Sequence, residues 1–122
     1  IFTARFAGEN CSYYDNITKL LNELEKVPLP NRTARFRTVA AYVDKDFEIT
    51  AEGVAEGIIS RSVAGENGFG YDPVFLIQNE NKTFAEMTIV QKEIHSHRGK
   101  AIRAIIKLLI PHLKNSRKKE IA

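Results

Sequence analysis

Two short stretches in the second half of this 122-residue chain carry side chains able to recognise a flat, polar ligand. In Gly68-Phe69-Gly70-Tyr71-Asp72-Pro73 an aromatic face and a carboxylate sit on a glycine-flanked loop that can close against a planar ring. Lys92, followed by Ser96-His97-Arg98-Gly99, adds an ammonium, a hydroxyl, an imidazole and a guanidinium, a donor-rich set suited to the edge of a nucleobase. A 6-oxopurine offers an acceptor at O6 and a donor at N1, whereas adenine offers the reverse. Donors from Arg98 or His97, with an acceptor from Asp72 or a backbone carbonyl, therefore suit the oxo form. Each buried polar group left unmatched by a wrong base costs about 1–3 kcal/mol, so adenine meets two mismatches. Guanine shares the oxo edge and would have to be excluded through the space around its 2-amino group. Phe69 or Tyr71 would stack on any base for about 1–3 kcal/mol, so affinity and specificity would come from different residues.

Each residue also has a purely structural reading. Phe69 and Tyr71 suit core aromatics anchoring a loop, Asp72 before Pro73 suits a turn, and Lys92 suits a solvated helix. Ser96 reads as an N-cap, with His97 and Arg98 as exposed first-turn residues. A base pocket explains all of them with one cause. Competing sites are weaker: His95 and His97 with Glu93 do not share a helix face and have no third ligand at metal-binding spacing. Cys11 stands without neighbours that would lower a thiol pKa. No Gly-rich phosphate cradle and no close cluster of carboxylates suited to Mg²⁺ occurs in the sequence. The chain reads as the recognition half of an enzyme whose chemical half lies outside it.

These side chains need a scaffold. Ile17, Leu20, Leu21, Leu24 and Val27 recur at helical spacing, with Ser12 or Asp15 as N-cap and Pro28 and Pro30 as a stop, which predicts an amphipathic helix over roughly 13–26. From Ala34 to Val43 the pattern turns to alternation rich in β-formers, and Asp44-Lys45-Asp46 leads into Phe47-Glu48-Ile49-Thr50, which predicts a hairpin. A third strand is expected from Gly53 to Ser60, where Gly53 and Gly57 signal a bulge or a close backbone approach. Val74-Phe75-Leu76-Ile77 reads as a buried strand and Asn79-Glu80-Asn81 as a turn. Thr88 can cap a short helix reaching His95, and Ser96 a last helix with Ile102, Ile105, Ile106 and Leu109 as its apolar stripe. Pro111 is expected to end or kink that helix. The predicted class is α/β in the mixed α+β sense: a central mixed sheet with flanking helices, without regular βαβ alternation.

Composition sets the limits. A 43% hydrophobic chain of this length supports one domain with one core. Of 18 Lys/Arg and 15 Asp/Glu, Lys114, Arg117, Lys118, Lys119 and Glu120 fall in the last nine residues, so residues 1–113 balance to zero. A neutral body with a basic tail is not the pattern of a nucleic-acid-binding domain, and residues 114–122 read as a solvated, disordered end. One cysteine and no signal or membrane-length apolar run point to a soluble protein of the cytoplasm. The start at Ile1, opening directly into Phe2-Thr3-Ala4-Arg5-Phe6, is expected to follow a preceding segment.

Several motifs together resemble the inosine triphosphate pyrophosphatase family. They are Phe2-Thr3-Ala4-Arg5-Phe6-Ala7-Gly8-Glu9, Asn16 with Lys19-Leu20-Leu21, Arg35-Phe36, Gly53 with Gly57-Ile58-Ile59, Gly68 through Phe75, Thr83 with Ala85-Glu86-Met87, and Lys92 with Ser96 through Gly99. Their order and spacing match over about residues 1–113, and the Gly68 and Ser96 motifs are specific in combination. The resemblance implies a homodimeric, Mg²⁺-dependent hydrolase of nucleotide metabolism that converts ITP, dITP or XTP to the monophosphate and pyrophosphate. It implies substrate binding by Phe69, Gly70, Tyr71, Asp72, Lys92, Ser96, His97 and Arg98. The family's Thr-x-Asn-x-x-Lys and Asp-Ser-Gly stretches have no counterpart here, so the Mg²⁺ ligands and catalytic base are expected upstream of Ile1. His95 departs from the aliphatic residue usual at its position. The alternative is a truncated, catalytically inactive module that binds nucleotide or dimerises.

Overall fold

A computed structural model describes residues 3–121, with side chains through residue 114. Its elements are α1 (Tyr13–Glu23), β1 (Thr33–Val43), β2 (Glu48–Ile59), β3 (Phe75–Ile77), β4 (Lys82–Thr83), α2 (Ile89–His95) and α3 (His97–Ile121). The sheet order is β1-β2-β3-β4. The α+β class stands; where a mixed sheet was expected, β3 runs antiparallel to both β2 and β4. Two compact units divide the chain: Ile1–Arg35 with Glu56–Lys92, and Phe36–Ala55 with Glu93–Ala122.

In the first unit, α1 starts where Ser12 Oγ accepts the Asp15 N–H and the Asp15 carboxylate accepts the Ser12 N–H, a reciprocal cap that satisfies two orphan donors. Its apolar stripe packs Leu20, Leu21 and Leu24, with Ala34 and Tyr71, around buried Ile17, Ile59 and Val74. Phe75 and Phe84, both almost wholly buried, meet with ring centroids 5.0 Å apart. Asn16 is buried because its amide serves the loop before α1: Oδ1 accepts the Ala7 N–H at 2.9 Å and Nδ2 donates to the Ala4 carbonyl at 3.1 Å. Arg32, 3% exposed, went unnoticed in the sequence. Its guanidinium donates to the Leu24 carbonyl at the end of α1 (2.8 Å) and to the Ser60 carbonyl after β2 (2.9 Å), a cation placed where a helix terminus is negative.

The expected separate third strand is corrected: β2 runs unbroken from Glu48 to Ile59 through both glycines. Period-2 reading failed there because a glycine carries no side chain to show which face it occupies. The alternative reading of those glycines, close approach, is what the structure shows. A Cβ on Gly57 would fall 2.5 Å from the Leu76 carbonyl oxygen of β3.

In the second unit, α3 lies so near β2 that a Cβ on Gly53 would collide with the His97 carbonyl and the Ala101 amide. Ala55, Ala101 and Ile105 are its buried apolar residues. Farther along α3, His112 stacks on Phe47 at 3.8 Å and meets the Asp44 carboxylate at 2.9 Å, which also accepts the Tyr42 hydroxyl at 3.0 Å. The His112 hydrogen bond, helped by the Asp46 N–H, holds the Asp44 carboxyl below its ordinary pKa, and the bond to Asp44 raises that of Tyr42. Pro111 does not end α3, contrary to expectation; it lies inside the helix. It is exposed, so the helix loses one amide donor where water can serve the carbonyl it would have met. The basic end expected at 114–122 falls, beyond Lys114, on side chains outside those described.

Candidate functional site

The Gly68–Asp72 loop is organised by one carboxylate. Asp72 is 5% exposed, and its Oδ2 accepts the Phe69 N–H at 3.1 Å and the Lys92 ammonium at 2.6 Å. Gly68 is obligatory on two counts: its φ of +79° favours glycine, and a Cβ there would overlap the Asp72 carboxylate. Thr88 fixes the start of α2, which carries Lys92, through a reciprocal cap in which Thr88 and Gln91 exchange backbone-to-side-chain bonds of 3.1 and 3.2 Å. The ammonium so placed lies 5.0 Å from the centroid of the Phe69 ring and 5.8 Å from that of Phe84.

The two aromatics of the loop separate in role. Phe69 is 52% exposed. Tyr71 packs against the Ile17–Ile59–Val74 core and donates its hydroxyl to the Thr3 carbonyl at 2.6 Å, so its ring is committed to the fold. Burial, with a contribution from Cys11, pushes that hydroxyl above its ordinary pKa. Asp72 Oδ2 is likewise engaged, by the loop amide and by Lys92. Gly70, at φ +61°, turns the chain between them with open space at its Cβ position.

Ser96, His97 and Arg98 open α3 in the second unit. Ser96 is buried and its Oγ accepts the Gly99 N–H at 3.2 Å, the N-cap the sequence suggested. His97 stacks on Phe36 with centroids 4.9 Å apart and an interplanar angle of 26°. Arg98 is exposed on the first turn. The structure therefore joins Phe69, Asp72 and Lys92 by direct contacts in one unit, and sets Ser96, His97 and Arg98 side by side in the other. Phe36 went unrecognised as a neighbour of the histidine, because sixty-one residues separate it from His97 and only the fold brings them together.

The competing sites gain little. The Cys11 thiol donates to Asn16 Oδ1 at 3.2 Å, a structural contact. Among the described residues no three His, Cys, Asp or Glu side chains gather where they could hold a metal ion. No helix among them is long and apolar enough to cross a membrane.

Known proteins resemble this chain over most of its length. The sequence profile of the Ham1 family matches residues 1–108. The dITP/XTP pyrophosphatase of Caldanaerobacter subterraneus subsp. tengcongensis is 44% identical over 116 residues, covering 95% of this chain and 58% of that protein. The dITP/XTP pyrophosphatase of Salmonella typhimurium is 42% identical over 118 residues, covering 94% and 58%. The solved structure of the Staphylococcus aureus Ham1 protein superposes with a TM-score of 0.83 at 38% identity, over 91% of this chain and 57% of that one. A dITP/XTP pyrophosphatase structure from Mycobacterium abscessus gives 0.71 at 38% identity, over 88% and 56%. The chain thus spans somewhat under three fifths of the length of the curated relatives it matches. With its profile, its relatives and its backbone in agreement over most of its length, the chain belongs to the Ham1 family.

Proposed function

We propose that this chain supplies the base-recognition part of a cytoplasmic hydrolase that converts ITP, dITP or XTP to the monophosphate and pyrophosphate. The observation that carries the reading is the Phe69 ring, half exposed on a loop pinned by buried Asp72, with the Lys92 ammonium beside its face. An aromatic face held in this way is a stacking platform, and a purine would gain about 1–3 kcal/mol from it whatever its edge carries. Arg98 and His97 supply the donors that suit O6. Asp72 Oδ2 supports the loop, and Asp72 Oδ1 or a backbone carbonyl serves as the acceptor for N1–H. Tyr71 contributes by anchoring the loop to the core.

The similarity to dITP/XTP pyrophosphatases supports the substrate class, and the family resemblance supports a homodimer and Mg²⁺. No step is assigned to the metal, whose ligands and the catalytic base belong to the part of the protein that the relatives have beyond this match. The second reading is a module that binds nucleotide without hydrolysis.

Titration of the chain with ITP, XTP and ATP, and pyrophosphate release by the complete protein with Mg²⁺, decide between these. Preference for ITP or XTP in both assays supports the enzyme; binding without turnover by the complete protein supports the module. Arg98→Ala should reduce the preference for ITP over ATP, whereas Phe69→Ala should weaken both alike by about tenfold. Equal loss of ITP and ATP on removing Arg98 would overturn its assignment as base reader.

A further inference from the structure

We propose that Phe36 is a positioning residue for base selection, acting through the ring of His97; the selectivity part rests on the reading of His97 as a base reader. The imidazole can donate to a purine O6 only if its plane lies along the edge of the base, and a ring on a freely rotating side chain spends little time there. Three constraints fix it here. Gly53 lets the backbone of His97 settle against β2, where any side chain would meet the His97 carbonyl. Ser96 caps the helix turn on which His97 stands. Phe36 then lies nearly parallel to the imidazole, 26° between planes and 4.9 Å between centroids, so that rotation of the imidazole about its outer bond would break the stack.

Phe36 is directed to this position by the alternation of β1, in which Ala34, Phe36, Thr38, Ala40 and Tyr42 are the less exposed residues. The same helix carries a second histidine–phenylalanine stack, His112 on Phe47, with no recognition motif beside it. That second stack serves as an internal control. Removing an aromatic stack of this kind corresponds to an effect of about 3- to 10-fold.

The test uses Phe36→Leu, which keeps apolar volume without a ring face, and Phe36→Tyr, which keeps the face. In Phe36→Leu the imidazole proton signals of His97, assigned by their loss in His97→Gln, should move downfield as ring-current shielding is lost, while those of His112 stay in place. The ITP-to-ATP affinity ratio of the chain should fall about 3- to 10-fold in Phe36→Leu and return in Phe36→Tyr. Unmoved His97 signals, or equal loss of ITP and ATP affinity, would overturn the proposal. If the unaltered chain shows no ITP preference, the base-reader assignment fails, and the proton signals alone then decide whether Phe36 positions the ring. Should Phe36→Leu not fold, cross-relaxation between the Phe36 and His97 rings in the unaltered chain decides the same point, and its absence counts against the proposal.

Discussion

The loop bearing Phe69 and the first turn of α3 bearing His97 are held in place by opposite means. In the loop, an ion pair that is mostly out of water fixes an irregular backbone: Asp72 ties its own loop amide to Lys92 twenty residues on. At the head of α3, regular structure sets the backbone, with an absent side chain at Gly53 admitting the helix to the strand. Charge can hold a segment that has few neighbours, at the cost of depending on both partners. Close packing of backbones depends on no charge, but it tolerates no added atom.

Asp72→Ala should show the largest effect. It strips the Phe69 amide of its acceptor and leaves Lys92, whose side chain is only 24% exposed, without its counterion. The expected loss is about 3 kcal/mol, or roughly 12 °C in Tm for a chain of this size. Calorimetry of Asp72→Ala, Lys92→Met and the double variant checks the cause: the double variant should recover part of the loss because no buried charge is left alone. If the two single losses simply add, the ion pair is not what holds the loop.

Gly53→Ala comes next and probes the other mode. A methyl group there meets main-chain atoms of His97 and Ala101, which cannot swing aside as a side-chain tip would. Overpacking of this kind costs about 2 kcal/mol, and amide resonances over residues 96–101 should shift as α3 moves off the strand. Unchanged stability and unshifted resonances would mean that the helix does not depend on this approach.

What the sequence made legible follows the same division. Signals confined to a few residues were read directly: the Ser12–Asp15 cap, the Thr88 and Ser96 caps, the stripe of α1 and the hairpin turn at Asp44–Phe47 each state their own geometry. Signals that need a distant residue were read only in part. The bond from Lys92 to Asp72 was not read, because Lys92 lies twenty residues further along the chain. Tyr71 looked like a second stacking face because its hydroxyl partner, Thr3, lies at the far end of the chain. Gly53 and Gly57 betrayed an anomaly whose meaning lay in α3 and β3. Buried Arg32 left no trace, since three backbone carbonyls accept from it and a carbonyl has no letter in a sequence. Two-residue β4 was too short to show a period.

The contrast between charge and packing recurs on a smaller scale along α3. At its head the helix meets the strand through backbone, whereas farther along His112 meets the hairpin tip through the Asp44 carboxylate. Asp44 is held below its ordinary pKa chiefly by the His112 hydrogen bond. A depressed carboxylate contributes stability that is fully present above its unfolded value, about 3.9, and is lost as pH falls through the lower folded value. Asp44→Asn should therefore lower the Tm slightly at pH 6, and the gap to the unaltered chain should close as the pH falls through that lower folded value. The site is exposed and screened by salt, so this is the smallest of the three effects, and added salt should shrink it further. No gap at pH 6 would assign the hairpin tip to the His112–Phe47 stack instead, leaving packing as the common means by which α3 is held along its length.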